Sequence, residues 1–141
     1  MPYKKVIIHT DGGARGNPGP AGIGIVIEDT DNQKKYHFKK YIGKTTNNQA
    51  EYQALLFALE KAHEMNSDEA LCYLDSELVV KQLHGTYRVK DQKLAPLFMK
   101  VWNLTQQFKK ITFTHVRREY NKEADLLVNM AIDDALALDK D

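Results

Sequence analysis

Residues 3–42 read YKKVIIHTDGGARGNPGPAGIGIVIEDTDNQKKYHFKKYI, three β-prone segments set apart by glycine, proline and asparagine. Val6, Ile7 and Ile8 are β-branched and favour extended backbone, so Tyr3–Asp11 is expected to form a strand that Gly12-Gly13 stops. Gly12–Gly22, rich in glycine and carrying Pro18 and Pro20, is expected to be a turn-rich loop. Ile23–Asp29 follows as a second strand, Asp31-Asn32 as a hairpin turn, and Lys35–Ile42 as a third strand whose charges suit a solvated face or a sheet edge. Three strands joined by short turns predict an antiparallel meander.

Beyond the meander the period changes. Ala50, Ala54, Leu55, Ala58, Leu59 and Ala62 recur at helical spacing and predict a helix over Asn47–Met65. Ala70–Asp75 is a short apolar strand, and Ser76–His84 a short helix ended by Gly85. Leu94–Phe108 is again helical, with Pro96 tolerable in its first turn. Trp102 shares that helix with Leu94, Phe98 and Val101 and is expected in the core. Ile111–Val116 alternates as a strand, and Asn121–Leu138 closes the chain as a helix. The order β-β-β-α-β-α-α-β-α predicts an α/β fold, its later strands added in parallel to give a five-stranded mixed sheet flanked by helices. Residues 1–141, without repeats or linkers, are read as one domain.

With 20 basic and 19 acidic residues and a net charge of +1, the chain does not depend on phosphate contacts alone, although an enzyme with local basic patches stays open. Cys72 is the lone cysteine, which excludes an intrachain disulfide and implies no thiolate zinc site. No apolar run is long enough to cross a bilayer, and the first ten residues lack the pattern of a secretory signal. A cytoplasmic protein is expected, with no membrane association and no obligate protein partner indicated.

Four carboxylates stand where packing alone would not place them. Asp11 and Asp75 end strands, and strand carboxyl ends are where open α/β sheets carry functional groups. Glu51 lies on the apolar stripe of Ala54, Leu55, Ala58 and Ala62, and Asp125 on that of Val128, Ile132 and Leu136. Each has an ordinary explanation: a turn before Gly-Gly, a helix cap, a first-turn acid, the edge of a stripe. Together, and without buried cationic partners in view, they point to a divalent cation held by oxygen ligands, Mg²⁺ with Mn²⁺ as substitute.

The segments around these acids carry a resemblance. Thr10-Asp11-Gly12-Gly13 with Gly16-Asn17-Pro18-Gly19-Pro20-Ala21-Gly22, then Thr46-Asn47-Asn48-Gln49-Ala50-Glu51, Leu74-Asp75-Ser76 and Asn121-Lys122-Glu123-Ala124-Asp125, resemble in order and spacing the four motifs of ribonuclease H type I. The resemblance runs over essentially the whole chain. It implies a ribonuclease H-like fold and an endoribonuclease that hydrolyses the RNA strand of RNA–DNA hybrids, leaving 5′-phosphate and 3′-hydroxyl ends. It also implies two divalent ions held by Asp11, Glu51, Asp75 and Asp125, with Asp11 expected to bridge them. By the same resemblance Gly12, Gly13 and Gly16 admit close backbone approach to the substrate, Glu51 also accepts from a 2′-hydroxyl, Asn47 and Asn48 meet sugar and base edges, and Asn17 and Thr46 hold a phosphate of the DNA strand.

Two departures from the family pattern stand out. Gly85–Lys93 carries only Arg88, Lys90 and Lys93 where many bacterial members have a basic protrusion, so weaker and more salt-sensitive binding is expected. The histidine of the loop before the fourth acid has no counterpart: His115 falls within a strand, and Arg118 and Glu119 are the candidates to stand near the metals. The chain thus resembles the compact subgroup. Two other readings remain at this stage, a non-catalytic nucleic-acid-binding module of the same fold and a related nuclease that also cuts double-stranded RNA.

Overall fold

The computed structural model describes residues 2–139. Its elements run β1 (Lys5–Ala14), β2 (Gly19–Asp29), β3 (Lys35–Thr45), α1 (Asn47–Glu64), β4 (Glu69–Leu74), α2 (Glu77–Leu83), α3 (Ala95–Thr105), β5 (Lys110–His115), a 3₁₀ turn at Arg118–Tyr120, and α4 (Lys122–Asp139). The sheet order is β3-β2-β1-β4-β5. β1, β2 and β3 pair antiparallel, whereas β4 joins β1 and β5 joins β4 in parallel. The mixed five-stranded sheet expected from the order of periodicities is present, with the charged β3 at one edge.

Alternation along the strands separates two layers. Val6 and Ile8 of β1 and Ile23, Ile25 and Ile27 of β2 point to one face and pack with the α1 stripe of Ala54, Leu55, Ala58 and Leu59, all essentially inaccessible. α1 is started by a capping box in which Thr46 accepts from the Gln49 N–H, an arrangement worth about 1 kcal/mol to the helix end. The buried Tyr52 hydroxyl of α1 donates to Gln82 Oε1 of α2 at 2.5 Å, and Cys72 is buried between the layers. α4 covers the opposite face of the sheet over β1, β2 and β3. Among the described residues no helix is long and apolar enough to cross a membrane.

Two expectations are corrected. Gly12–Gly22 is not one loop: β1 continues to Ala14, β2 begins at Gly19, and Gly12 pairs with Ile23 and Gly13 with Gly22. Only residues 15–18 turn the chain, with Gly16 at φ 95°. Gly12 and Gly22 instead serve strands on which α1 and α4 press closely. Trp102 is 46% exposed and stacks on Phe98 with ring centroids 6.3 Å apart. α3 packs chiefly on α1 and among its residues fully buries only Val101 and Thr105, so its flank stays in water.

Candidate active site

The site forms where β4 stops short. β4 ends at Leu74, level with Thr10, while β1 runs on through Ala14 and leaves backbone groups on its β4-facing edge unpaired by any strand. Buried backbone groups require partners, and side chains supply them. Asn121 Nδ2 donates to the Thr10 carbonyl at 2.8 Å. The Gly12 N–H donates to Glu51 Oε1 at 2.5 Å, and the Ala14 N–H to Asn47 Oδ1 at 2.7 Å. The start of α1 and the start of α4 are thereby fastened to the strand end that carries Asp11.

Glycine permits that approach. A Cβ built on Gly12 would overlap the Ala50 carbonyl of α1, and one on Gly24, directly opposite Asp11 in the register, would overlap the Ala124 carbonyl of α4. Gly12 therefore lets Glu51 come down onto the strand from one face, and Gly24 lets Asp125 do so from the other. Asp75, the first residue beyond β4, completes the group.

Asp11 and Glu51 are each 7% exposed, and carboxylate oxygens of Asp11, Glu51 and Asp75 all lie within 4.8 Å of one another. Burial first, then the neighbouring Glu51 charge, raises the Asp11 pKa far above the usual carboxylate range. Burial likewise raises Glu51, against the opposing hydrogen bonds from Asp11 and the Gly12 N–H. Asp75 is raised by burial too, with contacts from Asp11, Arg118 and Asn121 pulling the other way. Burial and mutual repulsion disfavour ionising all three acids together; a divalent ion removes that conflict, and a hard oxygen donor set suits Mg²⁺ or Mn²⁺. The donor chemistry of the cluster therefore fits a divalent cation.

The acids floor an open cleft of about 510 Å³ whose walls include Gly12, Gly13, Asn47, Asn48, Arg118 and Asp125. Arg118 Nη2 lies 3.9 Å from Asp125 Oδ1.

The sequence and the fold both have counterparts among known proteins. Residues 9–131 match the family described as reverse transcriptase-like. The chain is 42% identical over 132 residues, 93% of its length, to the bifunctional protein Rv2228c of Mycobacterium tuberculosis. It spans only 36% of the length of that relative. RNase H1 from Halobacterium salinarum superposes with a TM-score of 0.88 at 40% identity, covering 92% of this chain and 98% of that one. LC11-RNase H1, solved in complex with an RNA/DNA hybrid, gives 0.86 at 47% identity and 93% and 99% coverage. The chain belongs to the ribonuclease H type I family.

Within this ribonuclease H fold the residues expected from sequence divide into three groups. Asp11, Glu51, Asp75, Asp125, Gly12, Gly13, Asn47, Asn48 and Arg118 all border the cleft. Asn17 and Thr46 stand at its rim with their side chains engaged: Asn17 Oδ1 accepts from the Asn47 N–H at 3.1 Å, and Thr46 caps α1. Gly16 shapes the tip of the β1–β2 turn. Glu119 lies elsewhere; it lines a separate cavity of about 260 Å³ with His9 and Lys35, because the 3₁₀ turn directs it away from Arg118. His9 stacks on Tyr73 at 5.2 Å and takes no place among the acids.

The roles of Asn121, Asn129 and Arg15 come from the fold rather than from the sequence. Asn121 was legible only as a member of the fourth motif. Arg15 was hidden among glycines, and Asn129, one turn past Asp125, carries no local signal.

Proposed function

We propose that this chain is an endoribonuclease that hydrolyses the RNA strand of RNA–DNA hybrids, giving 5′-phosphate and 3′-hydroxyl ends, and that residues 1–141 act as a single catalytic domain. The observation that carries the reading is the convergence of Asp11, Glu51 and Asp75 within 4.8 Å at the floor of an open cleft, with Asp125 in its wall. Asp11, Glu51, Asp75 and Asp125 would hold two Mg²⁺ ions, replaceable by Mn²⁺, whose chemistry when bound would be to supply an activated water and to offset charge on the leaving 3′ oxygen.

The chain's own part is to hold and orient. Asp11, at the strand end among the other acids, would be shared between the ions, with Glu51, Asp75 and Asp125 as the remaining ligands. Glu51 spends Oε1 on the Gly12 N–H, which fixes its carboxylate plane and leaves the second oxygen for a cation or a 2′-hydroxyl. Asn47 commits Oδ1 to the strand, so its amide N–H groups, with both ends of Asn48, are the groups offered to sugar and base edges. Gly12, Gly13 and Gly16 keep side chains off the strand end and its turn, giving the wide minor groove room to approach. Asn17 and Thr46 flank the N-terminus of α1 and engage its Asn47 and Gln49 N–H groups, so the Asn48 N–H and the positive end of the helix are what would face a DNA-strand phosphate. Arg118, beside Asp125, is the proposed auxiliary that steadies charge where the family's loop histidine is missing. A cytoplasmic location is part of the same proposal.

The test is cleavage of labelled RNA–DNA hybrid, double-stranded RNA and double-stranded DNA with Mg²⁺, Mn²⁺ or EDTA, alongside Asp11→Asn. Cleavage of the RNA strand of the hybrid, abolished by EDTA and by the substitution, is the expected result. Hybrid binding without cleavage under either metal would overturn it in favour of a non-catalytic binding module. Equal cutting of double-stranded RNA would keep the mechanism and widen the substrate.

A further inference from the structure

The cleft presents a polyanion with an electrostatic problem. Its floor and wall carry four carboxylates, and among the described residues lining it only Arg15 and Arg118 are cationic. Bound cations would offset the acids at the scissile phosphate, but the phosphates on either side need partners of their own. Arg118 stands beside Asp125 at the start of α4. Arg15 stands at the other end: its Nη1 lies 2.6 Å from Asp133 Oδ1, and its Nη2 donates to Asn129 Oδ1 at 3.3 Å. Asp125 and Asp133 are eight residues apart on one helix, about 12 Å along its axis at 1.5 Å per residue. The two guanidinium groups are thus tied to points about two turns of α4 apart.

Arg15 is held in place from several directions. Its N–H donates to the Pro20 carbonyl across the turn at 2.8 Å. Asn129 is itself oriented, because its Nδ2 donates to the Asp125 carbonyl at 3.1 Å and so turns Oδ1 toward Arg15. The ion pair with Asp133 is different in kind. Both side chains are substantially exposed, at 41% and 63%, and exposed pairs of this sort are weak and easily exchanged. A phosphate offers the same charge and a bidentate match to the guanidinium.

We infer that Arg15 grips a phosphate of the bound polynucleotide flanking the scissile one, presented by Asn129, while Asp133 occupies the guanidinium in the free protein and yields it on binding. The inference rests on the hybrid-cleaving function proposed above. Asp133 is then a competitor of the substrate, and Arg15 contributes affinity rather than chemistry.

The experiment measures binding of fluorescent RNA–DNA hybrid by anisotropy in EDTA, and cleavage in Mg²⁺, each across a salt series. The proteins compared are the unsubstituted chain, Arg15→Gln, Arg15→Lys and Asp133→Asn, with thermal melts of each. Arg15→Gln is expected to weaken binding and raise KM about tenfold while moving kcat little, and to make the slope of log K against log salt shallower by about 0.9. Arg15→Lys is expected to restore the slope but not the full affinity, since a lysine cannot match a phosphate bidentately. Asp133→Asn is expected to tighten binding. An unchanged salt slope in Arg15→Gln would overturn the inference. So would equal weakening by Arg15→Gln and Asp133→Asn, the mark of a purely structural tie between the turn and α4. Failure of the unsubstituted protein to cut hybrid in Mg²⁺ would instead strike the proposed function, so the two failures are distinguishable.

Discussion

The side-chain amide of Asn121 donates to the Thr10 carbonyl at 2.8 Å, joining the residue before α4 to the residue before Asp11. Asn121 occupies the position where a helix normally receives a side-chain cap, yet its amide is committed to the Thr10 carbonyl and, among the described residues, its Oδ1 has no protein partner. The helix that carries Asp125 is thus anchored to the strand that carries Asp11. Asn121→Ala removes that anchor and leaves a buried carbonyl unpaired, so denaturant unfolding is expected to show a loss of about 1–3 kcal/mol. Cleavage of hybrid per folded molecule is expected to fall with it. Full activity at reduced stability would show that Asp125 does not need the anchor.

The acid cluster predicts an unusual pH dependence in EDTA. The pKa values of Asp11, Glu51 and Asp75 are raised on folding above their ordinary values of 3.8, 4.5 and 3.8. Above those ordinary values the folded protein retains protons that the unfolded chain has released, so stability declines as pH rises toward the raised values. Melting temperature in EDTA is therefore expected to fall between about pH 5 and pH 8. Mg²⁺ should counter the fall by taking the place of the protons, and Asp11→Asn should melt higher than the unsubstituted protein at the upper end. A melting temperature that rises with pH in EDTA would contradict the burial of these acids.

Neighbouring glycines should respond very differently to alanine. A Cβ on Gly12 meets the Ala50 carbonyl, which is backbone and cannot swing aside, whereas one on Gly13 comes no closer than 3.6 Å to Val128 Cγ1. Gly12→Ala is expected to cost about 3 kcal/mol or more and to displace Glu51 from the strand end. Gly13→Ala should unfold within about 1 kcal/mol of the unsubstituted protein. Unfolding curves of the two variants would separate these outcomes directly.

Tyr52→Phe tests the tie between α1 and α2 away from the cleft. The hydroxyl donates to Gln82 Oε1 at 2.5 Å with both side chains buried, so its removal leaves the Gln82 oxygen unpaired at a cost of about 1–3 kcal/mol. The loss should appear in the denaturation midpoint, with kcat on hybrid retained by the folded fraction. A midpoint that does not move would mean that water satisfies Gln82.

The sequence by itself determined the succession of strands and helices, because side-chain period and turn residues act over a few neighbours. It also marked the four acids, since Glu51 and Asp125 interrupt apolar stripes and Asp11 and Asp75 follow β-branched or apolar runs. It misjudged Gly12–Gly22, for local propensity cannot separate a glycine that turns the chain from one that lets a distant helix press on a strand. Gly12 and Gly24 are of the second kind, and their reason lies at Ala50 and Ala124. Only the tertiary structure decided that Glu51, Asn47 and Asn121 would partner the strand edge left where β4 ends, that Arg118 faces the cleft while Glu119 does not, and that Arg15 would meet Asp133. These are contacts between residues far apart in sequence, made only when the sheet register and helix packing bring their backbones together.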